Sequence, residues 1–570
     1  MTPVELNVDV LEAILSYLSG KDAFHAALCS SQFYTLAYPL AFSAREGYWP
    51  MSTKIIRTLH QPENSNTNRS SFLRRLSLNG IDRSLYSILV GHLLNARKMH
   101  TLQLTEVDSI FSADERAFSA LKAMLQLTHL TLLDIGKRTL QVLSSIRAGK
   151  LSTLKLRFIS KKAPDQTFTI TQLLSSLSAS HELRALEPLE GWEAWITGSD
   201  LDTPVPPLPR LQHLRVISTL PSVFLWSGLQ YFPHLSSLQI SRPLRVRGHV
   251  HPSDAPVWPS LQELHLPGWI DLSIIDSTGF RVQHLHVGAD YRITVSSQNL
   301  CPDQMAHEAL ITLIQDVLTR ALTLYLVMPL PEGSKTHPGG NFWKDLGTGY
   351  TALRSLNLRL TSYDLSQGPN YAIVAATLPT ALSSLRLYSF HLDAPRMEWW
   401  RAYDIRLCPP GVPVLRWVAD VVESDVDRLR MLHSLPGQLV DAIPTLRVLG
   451  VGTCLPALHP DRGKKGWEGF NKKDLVDLEE SEARKTLREM GETNMTREQR
   501  WWIVDRQAAP AKMVEIWRED GERARDMVES EGFDASMSFD EFYSDRCRYM
   551  RTLNLFAVQV RNVVLAAAAM

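Results

Sequence analysis

Four histidines and one glutamate are the residues of this chain best equipped for chemistry. His213, His265, His284 and His286 recur in short stretches of alternating apolar residues, and Glu263 stands two positions before His265. Imidazole and carboxylate are the donor types of a zinc or other transition-metal site. The same side chains are also ordinary polar positions on strands, and that is the reading taken: no metal and no cofactor is expected. Covalent or phosphate chemistry has no support. The chain contains no G-x-S-x-G elbow, no G-x-x-x-x-G-K-[ST] loop, no H-E-x-x-H, and no G-x-G-x-x-G after a strand. The stretch GKKGWEGF lacks the spacing of a phosphate loop. No catalytic residue is assigned, and the chain reads as a non-enzyme.

A repeated unit positions these residues. From about residue 72 the pattern L-x-x-L-x-L returns as LRRLSL (Leu73–Leu78), MHTLQL (Met99–Leu104), LTHLTL (Leu127–Leu132), LSTLKL (Leu151–Leu156), LQHLRV (Leu211–Val216), LSSLQI (Leu235–Ile240), LQELHL (Leu261–Leu266), VQHLHV (Val282–Val287), LRSLNL (Leu353–Leu358), LSSLRL (Leu382–Leu387) and LRVLGV (Leu446–Val451). Weaker copies lie near Leu186, Leu324 and Val418. Spacings of roughly 21 to 39 residues are close to the period of leucine-rich repeats with insertions. One L-x-L strand cannot bury its apolar side alone, but stacked neighbours can. The expected fold is an α/β solenoid: an irregular leucine-rich-repeat horseshoe with a parallel sheet inside and helices outside. Helices are expected at RSLYSILVGHLL, TLQVLSSIRAG and EALITLIQDVLTRA. The asparagine or cysteine that usually follows the hexamer is absent from most copies.

The x positions flanking the last leucines share one face of the sheet. They include Arg75, His129, Lys155, Arg157, His213, Arg215, Gln239, Glu263, His265, His284, His286, Asn357, Arg359, Arg386 and Tyr388. Cations outnumber acids there, although Lys+Arg and Asp+Glu balance at 60 each over 570 residues. An electropositive inner face would select an acidic or phosphorylated protein segment through arginine forks. Lys155, Arg157, Arg215, His265, His286, Arg359, Arg386 and Tyr388 are the candidate substrate-binding set. The plainer reading is that these are solvated strand residues. The loop at Pro395 to Gly411, with Trp399 and Trp400, interrupts the repeats.

Zero net charge gives no global attraction to nucleic acid or to an anionic membrane, and neither is an expected partner. The five cysteines contain no C-x-x-C pair and read as reduced thiols of the cytoplasm or nucleus. Glu5, Asp9 and Glu12 sit where a signal peptide carries no acid, and no uninterrupted apolar run is long enough to span a bilayer. After about residue 455 the composition shifts. Residues 461–570 are about 37 % charged, against about 17 % before them. Two helical charge patterns with Trp501, Trp502 and Trp517 predict a helical extension, 456–570, that caps the solenoid.

Residues 7–38 predict three short helices. Val10, Leu11, Ile14, Leu15 and Leu18 keep a helical period, with Asp9 and Glu12 as a capping box and Gly20 as the stop. Phe24, Ala27 and Leu28 form the apolar face of a second helix, and Phe33, Leu36 and Ala37 belong to a third. A module of 1–50 with this little core needs a partner, and polar residues 51–71 read as a linker before the solenoid at 72–455. The matches Leu6-Asn7-Val8-Asp9-Val10-Leu11, Ile14-Leu15-Ser16-Tyr17-Leu18, Asp22-Ala23 and Leu28-Cys29-Ser30-Ser31-Gln32-Phe33 resemble the F-box motif. Asn7 stands where the family has proline, and Ser30 and Ser31 where it has a basic residue. Placed before leucine-rich repeats, the motif looks like the F-box/leucine-rich-repeat proteins, of fungal type. That resemblance implies the substrate-recognition subunit of an SCF-type (Skp1–cullin–F-box) E3 ubiquitin ligase, acting in ubiquitin-dependent protein degradation. The F-box would dock on a Skp1-type adaptor joined to a cullin, and the repeats would hold a protein substrate. Leu6, Val8, Leu11, Ile14, Leu15, Leu18, Phe24, Leu28 and Phe33 would share the adaptor interface and the module's small core. The alternative is a repeat scaffold with no ligase role.

Overall fold

The computed structural model describes residues 20–29, 31–48, 50–60, 68–136, 150–158, 181–188, 208–216, 232–240, 260–266, 281–288, 310–315, 317–328, 340–362, 371–394, 414–452, 499–507 and 510–539. It also describes isolated residues, among them Val8, Leu11, Leu15, Tyr17, Leu18 and Phe542. The chain divides into two compact units, Met1–Leu261 and Gln262–Met570.

The first unit opens with helical residues between Val8 and Leu15. Helices α1 (Gly20–Ala27) and α2 (Ser31–Ser43) follow and pack on each other. Gly20 opens α1 rather than closing the helix before it; the break falls at Tyr17 and Leu18, where the Leu18 amide bonds back to Leu15 O. Helix α2 runs directly into strand β1 (Ala44–Tyr48), and helix α3 (Met51–His60) comes next. The span read as a linker therefore begins with a helix whose buried face is Ser52, Ile55, Ile56 and Leu59.

Strands β2 (Arg75–Asn79), β3 (Thr101–Leu104), β4 (His129–Ile135), β5 (Thr153–Phe158), β6 (Ala185–Pro188), β7 (His213–Val216) and β8 (Ser237–Ile240) then pair in parallel, each with the next, and β1 pairs with β2. Each hexamer in this run places its L-x-L in register with its neighbour, as Leu76↔Leu102, Leu102↔Leu130 and Leu130↔Leu154. The leading leucines, Leu73, Leu127, Leu151 and Leu211, are buried as well. Three such side chains per hexamer contribute about 1.5–3 kcal/mol each on burial. Helix α4 (Tyr86–Asn95) lies where RSLYSILVGHLL predicts it. A second backbone ladder runs beside the strands. The amides of Arg74, His100, Thr128, Ser152, Arg184, Gln212 and Ser236 each donate to the corresponding carbonyl of the repeat before, starting from Ser43 O at the end of α2.

In the second unit, β9 (Leu261–Leu266, whose first residue ends the first unit) is followed by β10 (Val282–Val287), β11 (Ala321–Met328), β12 (Ser355–Ser362), β13 (Ser389–Asp393) and β14 (Val448–Gly452). From β10 onward these pair in parallel. Helices α5 (Gly340–Gly349), α6 (Tyr371–Leu382) and α7 (Val414–Ala442) join them. Two hexamers are displaced from their expected places. LSSLRL closes α6 and turns; the strand is formed by the next L-x-x-Φ-x-L, Leu387-x-x-Phe390-x-Leu392, because Phe390 and Leu392 align with Leu356 and Leu358. The weak copy near Val418 lies inside α7.

The helical extension also differs. RWWIVD is strand β15 (Arg500–Asp505), antiparallel to β14, and Lys512–Ile516 is strand β16, antiparallel to β15. Aromatic and β-branched residues favour this over a helix despite the flanking charge. Helix α8 (Arg518–Glu529) follows. It reaches back over β12, β14 and β15 on the side that carries Ser355, Val448 and Trp501. The charged stretch DLVDLEESEARKTLREMGE, the Trp399–Trp400 loop and the apolar C-terminal run lie outside the described residues.

Candidate functional site

The first 34 residues hold an uncovered apolar surface. Tyr17 is 90 % exposed and Leu28 67 %, and Val8, Leu18, Phe24 and Tyr34 are exposed as well. They make up six of the ten large hydrophobic side chains exposed among the described residues. Leu11 and Leu15 point the other way and are buried, with Ala23, Ala27, Ala37 and Ala41. Alanines let the helices approach closely, but they bury little area, so the apolar remainder stays outside. Phe33 is half-buried, and Leu6 and Ile14 lie outside the described residues. Sequence periodicity missed Tyr17 and Tyr34; Tyr17 lies in the turn after the first helix, where no period reaches.

The module is braced to the first repeats within the same unit. Tyr38 stacks between Tyr34 (4.6 Å) and Phe42 (4.9 Å) and meets Phe72 edge-on. Arg69 lies over Phe42, donates from Nε to Tyr38 Oη (3.1 Å) and donates from Nη1 to Thr58 O (2.6 Å). One guanidinium thus ties α2 and α3 to the turn before β2.

The polar sheet face of the first unit is less positive than its sequence implies. Lys155 Nζ and Arg215 Nη1 both sit 2.6 Å from Glu187, and Arg157 is 3.2 Å from Asp134. Asp134 reaches Arg157 from a bulge, with φ at 59°, a conformation aspartate tolerates better than most residues. Glu187 escaped notice because its repeat, Leu183-x-x-Leu186-x-Pro188, ends in proline. His213 is exposed on β7, between Ala185 and Ser237 of the adjacent strands.

In the second unit His265, His286 and His284 form a stack, with rings 3.9 Å apart at each step. His284 Nε2 is 2.8 Å from Thr323 Oγ1, and its Nδ1 is 3.7 Å from Glu529 of α8. Glu263 is 3.5 Å from His265. Burial drives His284 down to about 4, with the Arg525 charge next in weight, and drives His286 down to about 2, with His284 next. Further along, His391 stacks on Trp501 at 4.9 Å and is held at about 3, mainly by burial and then by Arg525 and Arg359. His284, His286 and His391 are neutral packing elements at neutral pH. Among the described residues no group of three or more His, Cys, Asp or Glu is placed to hold a metal ion.

Arg359 lies over the Tyr325 ring and donates to its hydroxyl (3.2 Å). Arg386 is exposed in the turn before β13 rather than on the strand face, because that repeat is displaced. Tyr388 packs edge-on against Phe533 at 5.1 Å. Glu529 Oε1 accepts from Ser355 Oγ (2.7 Å), and burial raises this carboxyl above its ordinary range. The residues missed here are Trp501 and Glu529, which reach the face only through the long return of the chain.

Among the described residues no helix is long and apolar enough to cross a membrane. No curated protein matches the chain. Residues 4–40 match the family model of the F-box domain, so the chain carries at its N-terminus an F-box domain, the type of domain that binds Skp1-type adaptors.

Proposed function

We propose that the protein is the substrate receptor of an SCF-type ubiquitin ligase, docking through its first 34 residues and holding a protein substrate on the repeat array. The observation that carries this reading is the concentration of exposed apolar side chains on a small module, six of the ten large hydrophobic side chains exposed among the described residues. A face of this kind is a helix-docking surface, since an isolated soluble module gains nothing by leaving it wet. Val8, Tyr17, Leu18, Phe24, Leu28 and Tyr34 are assigned to the adaptor, and Leu11 and Leu15 to the module's core. The bracing by Arg69 and Tyr38 supports the second half of the reading. A receptor has to present its substrate at a fixed distance from the adaptor, and a helix continuous with the first strand gives a stiff mount. Ubiquitin transfer belongs to the bound partners, a cullin among them, and the chain acts in the cytoplasm or nucleus. The substrate class expected from the sequence, acidic or phosphorylated, keeps support from Arg359, whose contact is an aromatic ring rather than an acid.

Tagged full-length protein should co-purify with a Skp1-type adaptor and a cullin. Wild-type protein without adaptor, or Phe24→Asp/Leu28→Asp protein with undiminished adaptor, would contradict the proposal.

A further inference from the structure

Four side chains occupy one position in successive repeats of the second unit. Arg320, Arg354, Tyr388 and Arg447 each directly precede a strand, and their backbones follow one another in the amide ladder. All four turn onto one segment, Ser530–Phe539. Arg320 Nη1 is 3.5 Å from Glu531. Arg354 Nη1 donates to Ser530 O (2.9 Å) while its guanidinium lies over Phe533. Tyr388 meets the edge of the same ring. Arg447 Nη1 donates to Ala535 O (3.1 Å) and lies over Phe539. Phe533 and Phe539 are buried.

This segment is held as a ligand is held in a groove. The backbone bonds found within it are local turns, Phe533 to Ser530, Met537 to Asp534 and Phe542 to Phe539, and its bonds to the array come from side chains. Phe533 and Phe539 share one core with Val448, Trp501 and Ile503, but no described strand pairs with the segment, so its release would leave those strand pairings in place. The fit is also incomplete. Arg447 Nε is buried without a hydrogen-bond partner among the described residues, so a donor stands unused beside the segment. Arginines preceding adjacent strands favour an anionic occupant, and residues 530–539 (SEGFDASMSF) carry two acids, Glu531 and Asp534, and no basic residue.

We propose that this row is a peptide-binding groove whose resident ligand is the chain's own Ser530–Phe539. A partner segment of the same build, an acidic peptide with two aromatics six residues apart, exchanges with it. The occupied groove then competes with an incoming peptide until the resident lifts away. The inference deepens the receptor reading only in taking that peptide for a substrate.

The test uses full-length protein and a fluorescent synthetic peptide of residues 528–543. Phe533→Ala/Phe539→Ala protein should bind the peptide at least about tenfold tighter than wild type, and adding Arg354→Ala/Arg447→Ala should reverse the gain. A strap variant with an unchanged circular dichroism spectrum that binds no tighter, or binding that survives loss of both arginines, overturns the proposal. Should the strap variant fail to fold, hydrogen exchange on wild type decides. Amides of residues 531–539 exchanging at least about tenfold faster than those of 355–360 support a displaceable resident, and equal protection makes the segment permanent core. The assay contains no adaptor, so its failure leaves adaptor docking untouched.

Discussion

At the scale of the residue, the two sides of the N-terminal helices make opposite predictions. Phe24 and Leu28 are exposed, so Phe24→Asp and Leu28→Asp should leave thermal stability within about 0.5 kcal/mol of wild type while removing adaptor binding. Leu11 is 6 % exposed, and Leu11→Asp would bury an unpaired charge. It should unfold the module and lose binding by that route, visible as faster proteolysis of the first 60 residues. That these residues are apolar and helically spaced is plain in the sequence. Which of them faces inward is not, because that depends on which side the alanines of α1 and α2 present. The buried histidines give a pH dependence with a definite sign. His92 and His284 are held at about 4 and His391 at about 3, chiefly by burial. The unfolded chain titrates near 6.5, so from there down to about 4 the unfolded state binds more protons and stability falls as pH falls. Each contributes a loss of about 1–2 kcal/mol by pH 5. Glu529, whose carboxyl burial raises, works the other way in acid and offsets part of this. Urea midpoints should drop between pH 7.5 and 5, and less so in His391→Gln; a flat profile would contradict the assignment.

At the scale of the element, the close approaches around Trp501 decide how the chain returns over its own sheet. A Cβ on Gly450 would stand 2.6 Å from the His391 ring and 2.8 Å from Trp501, and one on Gly521 would run into Trp501. Gly450→Ala should destabilise the second unit by about 1–3 kcal/mol, measured by urea unfolding. A neutral result would mean that the His391 and Trp501 rings do not close over β14 at Gly450. Inside α7, Arg428 is fully buried, paired with Asp425 at 2.7 Å and donating to Ala394 O. Arg428→Ala removes the buried countercharge of Asp425 and should cost about 3–5 kcal/mol, whereas Arg428→Met with Asp425→Leu should recover much of it. The hexamers from Leu73 to Val287 were legible because three leucines at fixed spacing define both strand and register. LSSLRL misled because its spacing is equally good and only the pairing of Phe390 with Leu356 rejects it. The Arg500–Ile516 hairpin was hidden by the charges on either side of it, and the return of α8 by the long stretch of chain that precedes it.

At the scale of the molecule, each unit joins a further element to its run of parallel strands. In the first, an F-box domain continues into the ladder that orders the strands, its last helix supplying Ser43 O as the first rung. In the second, the C-terminal segment lies along residues that precede four successive strands. The ligase reading rests on the first of these elements. Titration calorimetry of purified full-length protein with a purified Skp1-type adaptor tests it most directly. Wild type should bind with one-to-one stoichiometry, and Phe24→Asp/Leu28→Asp should lose at least about a hundredfold in affinity, near 2.7 kcal/mol, with its melting temperature unchanged. No heat from the wild type, or equal affinity from the double variant, would contradict the account.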